Sequence, residues 1–221
     1  MYATIRKIRI FATRKNIISS LLSIHTFIMA TPTPSISIAP ATIHDAAFVA
    51  RCVCMALHHE PSEQELPGIA GICSRTDVLY SYRHALIAWD GDRPVGLCLA
   101  YPGEGYHDIR VRTFEAFASL HPDQDDEMDL ANAEDETAAG EYYIDSLAVL
   151  PQYRRRGIGR LLMQAQIERG RLAGYSRHTL LVDPANPSAQ RLYTSLGFVH
   201  EGDCYAFGQI YWKWVLKIRV Y

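Results

Sequence analysis

The chain has 221 residues, which suffice for one well-packed domain but not for two of ordinary size. Its composition, 48% hydrophobic and 10% aromatic, fits a globular α/β protein and excludes a disordered one. A formal net charge of −2 gives no electrostatic case for binding nucleic acid. The five cysteines lack the spacing of a zinc site, so we expect reduced thiols of a cytoplasmic protein and no bound metal.

The N-terminal segment, residues 1–35, is predicted to be an extension outside the folded domain. Five basic residues and no acidic ones lie among its first fifteen residues, and the apolar run 17–28 follows. Three interpretations stay open: a secretory signal, an organelle transit peptide, or upstream sequence before a true start at Met29, which we favour. The apolar run is too short and too polar for a membrane-spanning helix, so no membrane association is expected.

The domain itself is expected to span residues 36–217 and to begin with a strand and a helix. Residues 35–38 alternate between polar and apolar side chains, which predicts the strand. The following helix is predicted from apolar residues at helical spacing. Its predicted apolar face comprises Ala47, Phe48, Cys52 and Met55.

A β-hairpin and a second helix are predicted next. Two apolar runs, 85–89 and 95–100, flank an Asp90-Gly91 pair that is typical of a hairpin turn. The second helix is predicted over residues 106–120. Its apolar positions are Val111, Phe114, Phe117 and Leu120.

An acidic segment separates this helix from the next strand. Residues 122–140 carry eight carboxylates and almost no core-forming residue. The favoured interpretation is a solvated loop. The alternative is an acidic rim that attracts a cationic substrate.

Residues 147–162 carry the most informative pattern of the chain. Leu147 and Val149 are strand formers, Pro151 ends any regular ladder, and helical spacing begins at Ile158. The turn between strand and helix holds two glycines and four arginines, namely Arg154, Arg155, Arg156, Gly157, Gly159 and Arg160. Free N–H groups at a helix start attract anions, glycines let a phosphate approach the backbone, and arginines add charge. The pattern predicts a pyrophosphate cradle, although it fits neither a classical P-loop nor a dinucleotide-binding loop.

A second strand and helix follow this turn. Residues 179–182 form an apolar run that predicts a strand, and the turn 183–187 places Pro187 at the first position of a helix. The helix is predicted to end at Gly197, a natural left-handed cap. Residues 206–216 predict a long aromatic strand.

Two motifs in these units resemble the signatures of the GNAT (Gcn5-related) N-acetyltransferases. They are Arg154-x-x-Gly157-x-Gly159 and Asn186-x-x-Ala189-x-x-Leu192-Tyr193-x-x-x-Gly197-Phe198, in the family's order. The resemblance implies a single α/β domain of the α+β type, with a mixed, mostly antiparallel sheet flanked by helices. It also implies transfer of an acetyl group from acetyl-CoA to a primary amine of a small molecule or peptide. The residues implied to bind acetyl-CoA are Leu147, Ala148, Val149, Arg154, Arg155, Arg156, Gly157, Ile158, Gly159, Arg160 and Asn186.

The resemblance further implies which residues are catalytic. Tyr193 matches the family tyrosine near the thioester sulfur and is predicted to protonate the departing thiolate. Glu141 and Asp145 are the candidates for the base, because they alternate along one predicted strand and share a face unless a bulge intervenes. Tyr143 stands where the family most often has a glutamate, so the choice between the two carboxylates is left open.

Other functions are compatible with the same motifs. The chain would be an acyl-CoA-binding sensor if catalysis were lost, or an acyltransferase with another acyl donor or an oxygen acceptor. The walls of the acceptor pocket are expected to come from residues 56–82 and 101–141, and His58 and His59 are further candidates to line it. The expected partners are acetyl-CoA and an amine acceptor, with a homodimer left open.

Overall fold

The computed structural model of the protein describes residues 36–120, 134–206 and 208–220. The predicted extension over residues 1–35 and most of the acidic segment lie outside these ranges. The strands of the described residues are β1 (Ile36–Pro40), β2 (Ala85–Asp90), β3 (Arg93–Pro102), β4 (Glu141–Val149), β5 (Arg177–Val182), β6 (Val199–Ala206) and β7 (Gln209–Lys217). They form one sheet in the order β1-β2-β3-β4-β5-β7-β6. Of the six described strand pairs only β4–β5 is parallel, which confirms the predicted mixed, mostly antiparallel sheet.

Helices cover both faces of this sheet. The described α-helices are α1 (Ala46–Ala56), α2 (Leu66–Cys73), α3 (Tyr106–Ala118), α4 (Ile158–Leu172) and α5 (Pro187–Ser195). The first three share a hydrophobic core with one sheet face, which includes Tyr101 and Tyr143. The last two share a second core with the other face, which includes Tyr142 and Ile144. None of the described helices is long and apolar enough to cross a membrane.

The hairpin and the first strand are confirmed, whereas one helix is not anticipated by the sequence pattern. β2 and β3 pair around Gly91, whose φ of 58° is the left-handed conformation that the turn requires. The unanticipated helix is α2, which begins beside a reciprocal cap. Ser62 N donates to Glu65 Oε2 at 2.8 Å, and Glu65 N donates to Ser62 Oγ at 3.2 Å. The short helix was missed because its two glycines weaken the helical signal.

The predicted apolar face of α1 is partly wrong. Cys52 is buried as expected, but Ala47 is exposed, and Phe48 and Met55 are only half-buried. The residues that α1 buries are Ala46, Val49, Ala50, Cys52, Val53 and Cys54. The helix packs against α2 as well as against the sheet, so the buried stripe is broader than one face and is rotated relative to the prediction.

The predicted inner face of α3 is partly wrong. The residues that the helix buries fully are Tyr106, Arg110, Thr113 and Ala116. Of the predicted residues, Phe117 and Leu120 pack against the core as partly buried side chains, and Val111 and Phe114 are half-buried. The inward face is polar because it makes specific hydrogen bonds. Arg110 donates to Glu134 O at 2.8 Å, and Thr113 Oγ1 accepts from Leu79 N at 2.9 Å. A hydrophobic pattern cannot reveal such a face.

Candidate functional site

β4 and β5 pair along only part of their length. Their parallel ladder consists of three pairs and ends at Tyr143 and Thr179. Beyond it, β4 continues to Val149 with β3 as its neighbour, and β5 continues to Val182 with β7 as its neighbour. We call the space between the separated ends the opening. One edge of β4 therefore lacks a strand partner along the opening.

This edge of β4 directs backbone groups into the opening. Leu150 N donates to Val95 O at 2.9 Å, so the backbone groups of Leu150 point towards β3. The N–H and C=O groups of successive residues in a strand point to opposite sides. The backbone N–H and C=O groups of Ala148 therefore point to β3, whereas the same groups of Leu147 and Val149 point into the opening. The sequence predicts that Leu147, Ala148 and Val149 bind the cofactor. Of these three, Leu147 and Val149 are the residues whose backbone amide groups can reach a ligand in the opening.

The turn from β4 into α4 contains a run of unused backbone donors. Among the described residues, the N–H groups of residues 155–160, which we call the cradle, donate to no partner. The first helical donor is Leu161, whose N–H bonds to Gly157 O at 3.1 Å. Arg155 and Gly157 have φ values of 63° and 80°, and these left-handed residues turn the backbone into the helix. Consecutive free N–H groups at a helix start form an anion-binding surface.

The arginine side chains of this turn mostly contact other residues of the protein. Arg154 Nε donates to Val149 O at 2.9 Å. The Arg156 guanidinium lies 5.0 Å from the centre of the Tyr153 ring, and Arg160 donates to Ser195 Oγ at 2.5 Å. The predicted cradle is therefore built from backbone N–H groups, with arginines supplying positive charge around it.

Ile158 and Gly159, the first two residues of α4, differ in what they can offer a ligand. Gly159 faces both β4 and α5, since a Cβ at this position would lie 3.8 Å from Leu147 Cδ2 and 3.8 Å from Leu192 Cδ2. Ile158 is buried in the core, so it can offer a ligand only its backbone N–H. We call the space beside Gly159, between Leu147 of β4 and Leu192 of α5, the slot. Residue 159 places no side chain in this space because it is glycine.

The two predicted residues of α5 have different surroundings. Asn186 caps the helix, because its Oδ1 accepts from Ala189 N at 3.0 Å. Tyr193 is half-buried, with its ring centre 6.1 Å from that of Phe198 and 6.5 Å from that of Trp214. Burial raises the pKa of Tyr193, so its hydroxyl stays protonated at neutral pH. Within the described residues this hydroxyl has no hydrogen-bond partner, which leaves it free to donate.

Glu141 lies in the first pair of the β4–β5 ladder, at the end away from the opening, and its carboxylate is fully hydrogen-bonded. Its buried carboxylate accepts from Arg177 Nε at 2.9 Å, from Lys213 Nζ at 2.9 Å and from Thr137 Oγ1 at 3.0 Å. Burial raises the pKa of this carboxyl, but the hydrogen bonds from Arg177 and Lys213 outweigh burial and leave the pKa below its ordinary value. Both cations lie on strands beyond the opening, so Glu141 ties β4 to that half of the sheet. Such a carboxylate is poorly suited to take a proton from a substrate.

Asp145, the other predicted base, lies at a bulge just beyond the last β4–β5 pair. Ile144 and Ser146 face consecutive residues of β3, which leaves Asp145 as an extra residue in β4. Despite the bulge, Asp145 stays on the same sheet face as Tyr143, where it contacts Tyr101. Asp145 is therefore placed beside the opening, at the position where β4 has just left β5.

The surroundings of Asp145 shift its proton affinity towards neutral pH. Tyr101 Oη donates to its Oδ2 at 2.5 Å, and Ser146 Oγ donates to its Oδ1 at 2.6 Å. Burial and the negative charge of Glu136 raise the pKa of Asp145 to about 7, against the lowering effect of these two hydrogen bonds. A carboxylate with this pKa can both accept and release a proton near neutral pH.

A cluster that the sequence did not reveal surrounds Asp145. The rings of Tyr101, Tyr106 and Tyr143, which we call the tyrosine triad, all contact one another with centres 5.8 to 6.3 Å apart. Tyr106 Oη donates to Glu136 Oε1 at 2.7 Å, and Tyr143 Oη donates to Glu136 Oε2. Glu136 was expected in a solvated loop, but it is only 9% exposed. The one available signal was indirect, because buried tyrosine hydroxyls need acceptors.

The remaining predicted residues lie apart from this cluster. His58 and His59 are exposed beyond the end of α1, and His59 Nε2 lies 3.8 Å from Glu65 Oε1. In the described ranges, no group of three or more His, Cys, Asp or Glu side chains could hold a metal ion.

Comparisons with known proteins agree with this architecture. A family model described as the acetyltransferase (GNAT) family matches residues 56–198. An acetyltransferase of known structure is 26% identical with a TM-score of 0.67, and the match covers 83% of this chain and 100% of that one. An N-acetyltransferase from Staphylococcus aureus Mu50 is 22% identical with a TM-score of 0.67, over 81% of this chain and 100% of that one.

A more distant neighbour is a chain of the NatC complex bound to Gag peptide and CoA. It is 17% identical with a TM-score of 0.52, over 84% of this chain and 99% of that one, and so supports the fold alone. No curated protein sequence matches the chain. The family match extends over most of the described domain, from the end of α1 to the residue after the cap of α5. The chain therefore belongs to the GNAT acetyltransferase family.

Proposed function

We propose that the chain transfers an acetyl group from acetyl-CoA to the primary amine of a small molecule or peptide. The observation that carries this proposal is the run of free N–H groups over residues 155–160, directly beside the free edge of β4. An anion-binding turn next to unpaired strand amides suits a ligand that joins a pyrophosphate to an amide-containing arm. The NatC neighbour, which is described as bound to CoA, gives the same expectation for the donor.

The donor would follow the path from cradle to opening. The cradle would bind the pyrophosphate through backbone N–H groups. Leu147 would offer its backbone N–H and C=O to the amides of the pantetheine arm, and Val149 would offer its N–H, because its C=O already accepts from Arg154. Gly159 leaves the slot clear for that arm. This path ends at the separation of β4 and β5, where Asp145 lies on one sheet face and Tyr193 packs against the other.

The residues at the opening can carry out the proton transfers of acyl transfer. Asp145 takes a proton from the substrate ammonium, and the neutral nitrogen then attacks the thioester carbonyl carbon. The C–N bond forms, the C–S bond breaks, and the nitrogen releases its second proton to water. Tyr193 gives its proton to the departing sulfur and regains one from water, while Asp145 returns its own to solvent. The net products are the amide, the free thiol and one proton.

Two further expectations concern the cellular location and the oligomeric state of the enzyme. Acetyl-CoA is a cytoplasmic metabolite and all five cysteines are free thiols, so we place the enzyme in the cytoplasm. The homodimer stays a prediction that light scattering would test.

Calorimetry and a thiol-release assay together test the function. Acetyl-CoA should bind the full chain, and at least one amine of a broad panel should release free CoA in step with loss of amine. Failure of acetyl-CoA to bind would overturn the proposal. Binding without turnover on any amine would instead favour the sensor, and turnover only with longer acyl donors or alcohols would favour the other acyltransferases.

A further inference from the structure

The last part of the acidic segment, residues 134–138, crosses the sheet face, and we call it the strap. It is tied to three different elements. Tyr106 of α3 donates to Glu136 Oε1 at 2.7 Å, Tyr143 of β4 donates to its Oε2, and Tyr205 N of β6 donates to Glu134 Oε2 at 3.1 Å. A segment with ties to α3, β4 and β6 is a fixed part of the acceptor side of the sheet.

A glycine makes room for this strap. A Cβ at Gly103 would lie 2.1 Å from Ala138 O and 2.9 Å from Thr137 Oγ1, which no side chain can tolerate. Gly103 N also donates to Glu141 O at 2.9 Å, where the strap joins β4. The position of the strap, and with it the position of Glu136, thus depends on the absence of a side chain at residue 103.

The strap and the base are linked through the tyrosine triad. Two triad hydroxyls bind Glu136, the third binds Asp145, and the three rings pack against one another. Both oxygens of Glu136 are occupied by these phenols, whereas Asp145 is more exposed and lies beside the opening. Of the two carboxylates, Glu136 is therefore the fixed one.

We propose that Glu136 is a positioning residue for Asp145: it anchors the tyrosine triad that orients Asp145, and it keeps a second negative charge beside that base. The proposal rests on the function proposed above. Repulsion from Glu136 disfavours the ionised form of Asp145, which is one reason that the pKa of Asp145 reaches about 7. Without the strap, Asp145 would be a weaker base at neutral pH.

Other groups that face the two carboxylates are neutral or already bound. Burial raises the pKa of Cys98 and of all three triad phenols, and it lowers the pKa of His84, whose ring centre lies 5.2 Å from that of Tyr101. Tyr80 and Cys204 also have pKa values raised by burial. Arg110 lies 5.6 Å from the Tyr106 ring, and its guanidinium binds Glu134 O and Asp135. Among the described residues, Glu136 is thus the charged group that acts on Asp145.

The pH profile of kcat/KM separates this role from a structural one. In the wild type, kcat/KM should rise with pH through about 7 as Asp145 loses its proton. Glu136→Gln removes the second charge, so the midpoint should fall by about one pH unit. Glu134→Gln, two residues earlier on the strap, is the matched control and should leave the midpoint unchanged. A lower rate with an unmoved midpoint in Glu136→Gln would overturn the proposal.

A second pair of variants tests whether the close packing of the strap against Gly103 is needed for activity. Gly103→Ala should displace Glu136 and lower kcat/KM by about 10²-fold, while Gly202→Ala, at an open position, should not. Full activity of a folded Gly103→Ala variant would contradict the proposed positioning. If Asp145→Asn keeps the rising limb of the profile, the proposed base itself fails. If that variant loses the limb but Glu136→Gln does not shift it, only the present inference fails.

Discussion

The two sides of the opening are built in different ways. The donor side, around α4 and α5, is mostly backbone: free N–H groups of the cradle, the unpaired edge of β4 and a glycine slot. The acceptor side, under α3 and the strap, is built from side chains: three tyrosines and two carboxylates. A backbone site needs only a fixed turn, whereas a side-chain site needs several distant segments in register. The donor side should therefore tolerate side-chain changes that the acceptor side does not.

The largest effect is expected on the acceptor side, from Asp145→Asn. If Asp145 is the base, as proposed, this change should lower kcat by about 10²–10⁴-fold, because the amide cannot take the substrate proton. Affinity for acetyl-CoA, measured by calorimetry, should stay unchanged since the cradle is untouched. The wild-type rate should fall as the pH drops below about 7, because protonated Asp145 cannot act as a base. Unchanged turnover in the variant would remove Asp145 from the reaction.

A comparable or smaller loss is expected from Tyr193→Phe. Phe fills nearly the same space against Phe198 and Trp214, so the fold should survive. Turnover should fall by about 10²–10⁴-fold, and by less if water replaces the hydroxyl as acid. Stopped assays with the best acceptor would measure the loss. Full turnover in this variant would mean that Tyr193 contributes to packing and not to the reaction.

The donor side should respond through affinity instead of rate. Gly157→Val should raise the Kd for acetyl-CoA at least about tenfold. A branched residue is strained at the φ of 80° and distorts the cradle, although space for its Cβ is available. Gly174→Val is the matched control, because Gly174 has a φ of 95° and is equally open, but lies beyond the far end of α4. Equal affinities of the two variants would count against the cradle.

The smallest effects come from a pair of glycines on α4 that separates binding from stability. A Cβ at Gly170 would lie 2.4 Å from His178 Nε2 and 2.6 Å from Tyr142 Cδ1, so Gly170→Ala should cost about 1–3 kcal/mol of unfolding free energy. Gly159→Ala makes only ordinary contacts and should leave the melting temperature unchanged or higher. It narrows the slot, however, and should weaken acetyl-CoA binding several-fold. Thermal melts and calorimetry on both variants would test this contrast.

The same difference explains what the sequence could reveal. The donor side lies in contiguous motifs, so a strand end, a glycine-arginine turn and a helix start could be predicted from neighbouring residues. Glu136 could not, because its partners Tyr106 and Tyr143 lie on other segments and its own neighbours are acidic. The choice between Glu141 and Asp145 likewise depended on Arg177 and Lys213, whose approach only the folded sheet reveals.

Glu141 also has a consequence for how the protein responds to acid. The pKa of this carboxyl is lowered in the folded state, so its contribution to stability is complete above the ordinary glutamate value and is lost as the pH falls through the lowered one. Its ion pairs, together with the three residue pairs of the β4–β5 ladder, join the half of the sheet from β1 to β4 to the half from β5 to β7. Acid should therefore act along this seam first. The enzyme would lose the shape of its opening while the cores on the two sheet faces persist, and amide exchange at the three residue pairs of the β4–β5 ladder would report the separation before global unfolding.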